Sequence, residues 1–171
     1  PLGGTFRVTQ STVRNVGVGI PTSNLKVAIV FISGNVIEPT SYGASTADLV
    51  DSRYEFSSNR VSLVGDISYA GFYFYGGESY RSTIRIKDNK IRGYVGIAFE
   101  QWFNEAMDCR LQANNLSETD YIGIWLGEGT TGCYVIGGST KTTVVDDGEG
   151  NVLVGVNNMG SGLGPGGGGS R

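Results

Sequence analysis

The sequence predicts an all-β chain wound as a parallel solenoid, and three observations carry that expectation. The first is composition: 28 glycines against four prolines, with abundant Val, Ile, Tyr, Phe, Thr and Ser, suit many short strands joined by tight turns. The second is a unit of the form apolar-x-apolar-x-x-Asn-x-apolar, clearest at Ile84-x-Ile86-x-x-Asn89-x-Ile91. The third is its recurrence, because the corner residues Ser11, Asn35, Asn59, Asn89, Asn114 and Gly138 follow one another at 24, 24, 30, 25 and 24 residues. A period near 24 is too short for a propeller blade, and the strands lack Asn-Gly hairpin turns between them. One coil of a parallel solenoid fits, each coil stacking on the last at about 4.8 Å.

The copies open at Phe6-x-Val8-x-x-Ser11-x-Val13 and continue through Val30 to Ile37, Tyr54 to Val61, Ile84 to Ile91, Cys109 to Leu116 and a degenerate Cys133 to Thr140. The last is Val152-x-Val154-x-x-Asn157-x-Met159. Stacking places Ile32, Phe56, Ile86, Leu111, Val135 and Val154 in one buried column, and Phe74, Phe99 and Leu126 in another. Asparagine suits the corners because it tolerates left-handed backbone angles and its amide can bond the coil above or below. Asn35, Asn59, Asn89 and Asn114 are therefore expected to form an internal ladder. The third coil is longer by about six residues, assigned between Val61 and Gly71, which predicts a protruding loop carrying Asp66. Residues 5–160 form the solenoid domain. Residues 1–4 read as an N-terminal junction or cloning remnant, and 161–171 as a flexible Gly-rich tail. No amphipathic helix precedes the first coil, so covering its end falls to a larger parent chain or an oligomer.

The pattern Ile-x-Ile-x-x-Asn-x-Ile followed by Gly-Ile, at Ile84 to Phe99 and Cys109 to Leu126, resembles the right-handed parallel β-helix repeat of pectin-lyase-like enzymes, phage tailspikes and NosD-like periplasmic proteins. Over roughly Thr5 to Met159 the resemblance implies a right-handed β-helix of about six to seven coils. It implies a fold rather than an activity, because one scaffold hosts many functions.

Charge and composition exclude several classes. A net charge of −3, a pI near 4.9 and scattered Lys and Arg supply no basic tract for nucleic acid. No run of 18 apolar residues offers a membrane-spanning helix. The chain has no histidine, which removes Ser-His-Asp and Cys-His catalysis and the histidine-dependent sites of several pectin-lyase-like families. Two cysteines alone cannot complete a zinc site, so no metal or cofactor is expected. Cys109 and Cys133 occupy one repeat position in consecutive coils, about 4.8 Å apart at Cα, which suits either stacked thiols or a disulfide. Asp146 to Gly150 reads as an acidic turn too short for a calcium loop, and Asn115-Leu116-Ser117 fits a glycosylation sequon.

The strand after each corner supplies the candidate site. It reads Gly71-Phe72-Tyr73-Phe74-Tyr75, then Gly96-Ile97-Ala98-Phe99-Glu100, then Gly123-Ile124-Trp125-Leu126-Gly127-Glu128. With Phe72, Phe74, Ile97, Phe99, Ile124 and Leu126 inward, Tyr73, Tyr75, Ala98, Glu100 and Trp125 face outward, and Gln101, Trp102 and Glu128 follow at the turn. Aromatic rings beside carboxylates make a surface on which sugars stack, so Tyr73, Tyr75, Glu100, Trp102, Trp125 and Glu128 form the expected ligand-binding set. The same residues would serve equally as packing contacts under loops or a partner. Glu100 and Glu128, about 5 to 8 Å apart, are the candidate catalytic carboxylates. Were the chain an enzyme, it would be a polysaccharide lyase or glycoside hydrolase. Arg85 and Arg110, stacked on adjacent coils, form either an anion clamp or a solvated face paired with Asp88 and Asp108. Two functions follow: a polysaccharide-binding or polysaccharide-processing β-helix at an extracellular, cell or virion surface, and a non-catalytic spike, stalk or fibre segment that assembles with other domains or with copies of itself.

Overall fold

The computed structural model of the chain describes residues 2–64, 69–75, 78–100, 103–105 and 108–158. Among them every regular element is a β-strand and every pairing is parallel, which makes the fold a parallel β-solenoid. One face stacks β1 (Leu2–Thr9), the second half of β3 (Val18–Ser33), β6 (Arg53–Ser57), β10 (Thr83–Lys87), β13 (Asp108–Gln112), β15 (Cys133–Ile136) and β18 (Val152–Val154). After the corner, a second face stacks β2 (Thr12–Arg14), β4 (Val36–Glu38), β7 (Arg60–Ser62), the starts of β11 (Lys90–Glu100) and β14 (Asn115–Leu126), β16 (Ser139–Thr140) and β19 (Asn157–Asn158). The third face stacks the first half of β3, β5 (Tyr42–Val50), β8 (Ala70–Tyr75), the ends of β11 and β14, and β17 (Thr143–Asp146). Short strands β9 (Glu78–Tyr80) and β12 (Phe103–Glu105) pair on the fourth side. There are about five turns of regular length, and then the spacing between paired residues falls from 24 at Gln112–Ile136 to 18 at Ile136–Val154.

Alternation fills the interior as the sequence requires. Ile32, Phe56, Ile86, Leu111 and Val135 form one buried column, and Phe74, Phe99 and Leu126 another, with the Phe74 and Phe99 rings stacked 4.4 Å apart. The last coil corrects the expected alignment. Leu153, not Val154, is in register with Val135, and Val154 is 55% exposed. A one-residue slip moves every side chain to the opposite face.

The asparagine ladder runs through the interior. The Asn35 Nδ2 donates to Asn59 Oδ1 at 2.9 Å, Asn59 Nδ2 to Asn89 Oδ1 at 2.9 Å, and Asn89 Nδ2 to Asn114 Oδ1 at 3.0 Å. Each amide also donates to a strand carbonyl of the preceding coil, at Val8, Ile32, Phe56 and Ile86. The left-handed angle expected at the asparagines lies one residue earlier, at Gln10, Gly34, Ser58, Asp88, Ala113 and Gly137, with φ between 50° and 66°. That residue turns the chain, which leaves the following Asn free to point inward.

Cys109 and Cys133 are in register, 4.7 Å apart at Cα, and joined by a buried disulfide. The bond closes a separation of 24 residues, so its reduction is expected to remove about 3 kcal/mol of stability, seen as a lower denaturant midpoint for the reduced chain.

The added length of the third coil is divided between two places. Paired residues are 24 apart at Ile37–Val61, 28 apart from Tyr42–Ala70 to Thr46–Phe74, and 30 apart at Val50–Tyr80. Four of the six extra residues therefore precede β8, as the alignment assigned, and two follow it. Asp66 lies outside the described residues.

A column of glycines bends the chain between the second and third faces. Gly19, Gly43, Gly71, Gly96 and Gly123 are held opposite one another by the pairings on either side of them. A Cβ at Gly71 would lie 2.8 Å from the Gly96 carbonyl oxygen, and one at Gly96 would overlap the Gly123 carbonyl oxygen. The bend breaks strict alternation. Ala70, Val95 and Ile122, before the glycines, join an outer apolar cluster, whereas Phe72, Ile97 and Ile124, after them, join the inner core.

Candidate functional site

The outer cluster lies on the third face. Ala70, Val95 and Ala98 are buried in it beneath Tyr42, Tyr69, Tyr73, Ile122 and Trp125. Ala98 does project outward as alternation requires, but Tyr73 and Trp125, its partners in the coils on either side, cover it completely. Burying small residues under large rings gives this face an apolar floor, which fixes the rings in place.

Seven aromatic residues share the surface. Tyr42 stacks on Tyr73 at 4.6 Å and Tyr73 on Tyr75 at 5.2 Å, while Tyr69 meets Tyr73 edge-on at 5.4 Å. Tyr94 stacks on Tyr121 at 4.8 Å, with 46% and 56% exposure. Of the seven, Tyr73, Tyr75 and Trp125 were expected from the sequence, and Tyr42, Tyr69, Tyr94 and Tyr121 were not. A signal for them exists in Tyr69-Ala70-Gly71, Tyr94-Val95-Gly96 and Tyr121-Ile122-Gly123, a tyrosine two residues before the bending glycine. Stacked rings turn their faces toward one another, so these pairs offer solvent mainly ring edges and hydroxyls. Trp125, half-buried over Ala98, donates its Nε1 to Asp147 Oδ2 at 3.1 Å.

Glu100 is tied into the tyrosines. Its carboxylate accepts a hydrogen bond from the Tyr73 hydroxyl at 2.5 Å and a longer one from Tyr69 at 3.5 Å, and its backbone pairs with Tyr75. Burial, and then the neighbouring Glu100 charge, pushes the Tyr69 phenol up to about 12, and burial, and then the hydrogen bond to Glu100, raises Tyr73. Both groups therefore favour the neutral phenol in the folded chain. The Tyr69 contribution is fully present below the ordinary phenol range near 10 and is lost as pH rises from there through about 12. Ultraviolet titration of the nine tyrosines is expected to show Tyr69 ionising near 12, and Glu100→Gln should bring it down toward the bulk group.

Glu128 stands apart from this network. It lies in the exposed turn closed by Thr130 N donating to Gly127 O at 3.1 Å, and makes no side-chain hydrogen bond or ion pair among the described residues. Pairing of Phe99 with Leu126 sets Glu100 level with Gly127, one residue short of Glu128. The two carboxyls thus occupy unlike settings, one bonded by phenols and one in water. Trp102 and Gln101 fall outside the described residues.

On the first face Arg85 is opposite Arg110, as expected. Asp108 lies between them: both Arg85 terminal nitrogens bond its carboxylate, and Arg110 Nε donates at 3.0 Å. The Arg85 hydrogen bonds hold the Asp108 carboxyl below its ordinary value. A shallow hollow of about 330 Å³ is lined there by Arg53, Glu55, Arg85, Lys87, Arg110 and Gln112. Glu55 is itself paired with Arg53 and Lys87, so carboxylates already serve much of this positive charge. Among the described residues no three His, Cys, Asp or Glu side chains converge as a metal-binding group.

No protein-family profile, curated protein or solved structure matches the chain.

Proposed function

We propose that the third face is a saccharide-binding surface and that the chain acts by binding a polysaccharide outside the cell. The observation that supports this most is the contiguous aromatic surface around Glu100. Tyrosine hydroxyls, one carboxylate and the half-buried Trp125 indole stand together on a rigid strand array, which is what recognition of ring C–H groups and hydroxyls requires. Strands hold these groups more closely than loops would. The disulfide supports an oxidising compartment. Binding is favoured over turnover because the Glu100 carboxylate is already engaged by the Tyr73 and Tyr69 hydroxyls. Titration with a panel of neutral and acidic oligosaccharides tests the reading. Trp125→Ala is expected to weaken binding about tenfold or more, and Glu100→Gln to weaken it less. Absence of binding across the panel, or unchanged binding by Trp125→Ala, would overturn it. Release of reducing or unsaturated ends that stops in Glu100→Gln would move the chain from binder to enzyme.

A fibre or stalk role is favoured by a separate observation. Apolar residues lie open at both axial ends of the solenoid, among them Phe6 and Leu153.

A further inference from the structure

Both ends of a solenoid pose the same physical problem, since the core stops and the strand edges lose their partners. At the first coil, β1, β2 and the first half of β3 pair on one side only among the described residues. At the other end the same holds for β17, β18 and β19. Phe6 is 45% exposed over a half-buried Val8 and Val13, and Leu153 is 41% exposed beside half-buried Val144 and Val156. The far end also holds a cavity of about 410 Å³ whose lining includes Thr140, Val144, Leu153, Val156 and Asn157.

Charge distinguishes the ends. From residue 1 to 37 the side chains carry Arg7, Arg14 and Lys26 and no acid, with Arg14 paired to Glu38 of the next coil at 2.7 Å, whereas from 142 to 158 they carry Asp146, Asp147 and Glu149 and no base, the neighbouring Lys141 being paired with Asp120. A chain with a net charge of only −3 thus has a positive first coil and a negative last one. We propose that these ends are complementary and that the chain assembles head to tail, the first coil of one copy stacking on the last coil of the next. The strands of the two copies then run in the same direction, so the parallel ladder continues across the junction. Like charge opposes head-to-head and tail-to-tail contacts, and a heterologous contact along an axis gives an open filament rather than a closed ring.

The register follows from the columns. Leu153 and Val8 belong to one inward column, and Asp146 and Thr22 to another. Lys26 lies one rung in from that edge, between Leu2 and Val50, and adds its charge to the end without a direct partner in the continued register. The junction involves the axial ends, so the tyrosine face stays open along the filament. Repetition of that face would raise avidity for a long glycan.

Sedimentation of the full chain across a concentration series tests the proposal, with electron microscopy of the heaviest fractions. At about 0.05 M salt the wild type is expected to grow in mass with concentration and to form single-file filaments, weakening about tenfold or more by about 0.5 M. Arg7→Glu with Lys26→Glu, or Asp147→Lys with Glu149→Lys, should each remain monomeric while retaining a β-sheet circular dichroism spectrum. A one-to-one mixture of the two variants should assemble again, because each now presents ends that fit the other. A monomeric wild type throughout, variants that assemble like the wild type, or side-by-side association would overturn the proposal. A full chain that stays monomeric while truncation after Asn158 assembles would give the last coil to the chain's own tail instead, and would equally overturn it.

Discussion

Gly96→Ala is expected to destabilise the chain by about 3 kcal/mol or more, read as a fall in the urea midpoint. The added methyl would overlap the Gly123 carbonyl oxygen of the next coil and come within 3.1 Å of Leu116 Cδ2 and 3.2 Å of Thr119 Cγ2. Relief would require the coils to separate at a point where backbone hydrogen bonds fix their spacing. The reason is close approach, because Gly96 has no left-handed φ. Gly17→Ala provides the control: nothing lies within 4 Å of its added methyl, and the change should stay within about 0.5 kcal/mol. A spread strand would also misplace Ala98 and Glu100, so any surviving Gly96→Ala protein should lose the elevated titration of Tyr69.

Asn89→Ala is the second large effect, expected at about 3–5 kcal/mol. The amide is buried and sits mid-ladder. Its Oδ1 accepts from both the backbone N and the Nδ2 of Asn59, and its Nδ2 donates to Phe56 O, Lys87 O and Asn114 Oδ1. Truncation strands several of these groups at a site buried from solvent. Asn35→Ala should cost about half as much, since its Ser11 and Val8 partners are only partly buried at the open end of the ladder. Amide exchange at Asn59 separates ladder loss from general loosening. It should quicken far more in Asn89→Ala than in Asn35→Ala for equal global stability.

Much of the fold was legible because the repeat is periodic and each corner carries the same chemistry. Ile32, Phe56, Ile86, Leu111 and Val135 could be stacked from spacing alone, and the structure stacks them. The last coil was misplaced because Val152-Leu153-Val154 is apolar throughout, so a period of two cannot choose its register. The left-handed corner position was missed because Gln10, Gly34, Ser58, Asp88, Ala113 and Gly137 share a backbone angle and no side-chain chemistry.

The site was half legible for a related reason. Alternation found Tyr73, Tyr75, Glu100 and Trp125, but Tyr69, Tyr94 and Tyr121 precede a bend at which alternation fails. Gly19 and Gly43 belong to the same bend, yet Ile20-Pro21-Thr22 and Ala44-Ser45-Thr46 lack the aromatic pattern that follows Gly71. The bond from Tyr73 to Glu100 joins residues 27 apart and depends on side-chain direction, which no spacing specifies.

The saccharide-binding claim is tested most directly by amide and indole chemical-shift mapping of the isotope-labelled chain during titration with the oligosaccharide panel. We expect shifts confined to residues 69–75, 94–100 and 121–126, and at the Trp125 indole N–H that donates to Asp147. Shifts centred on the Arg85–Arg110 face, or none on the third face at millimolar ligand, would contradict the account.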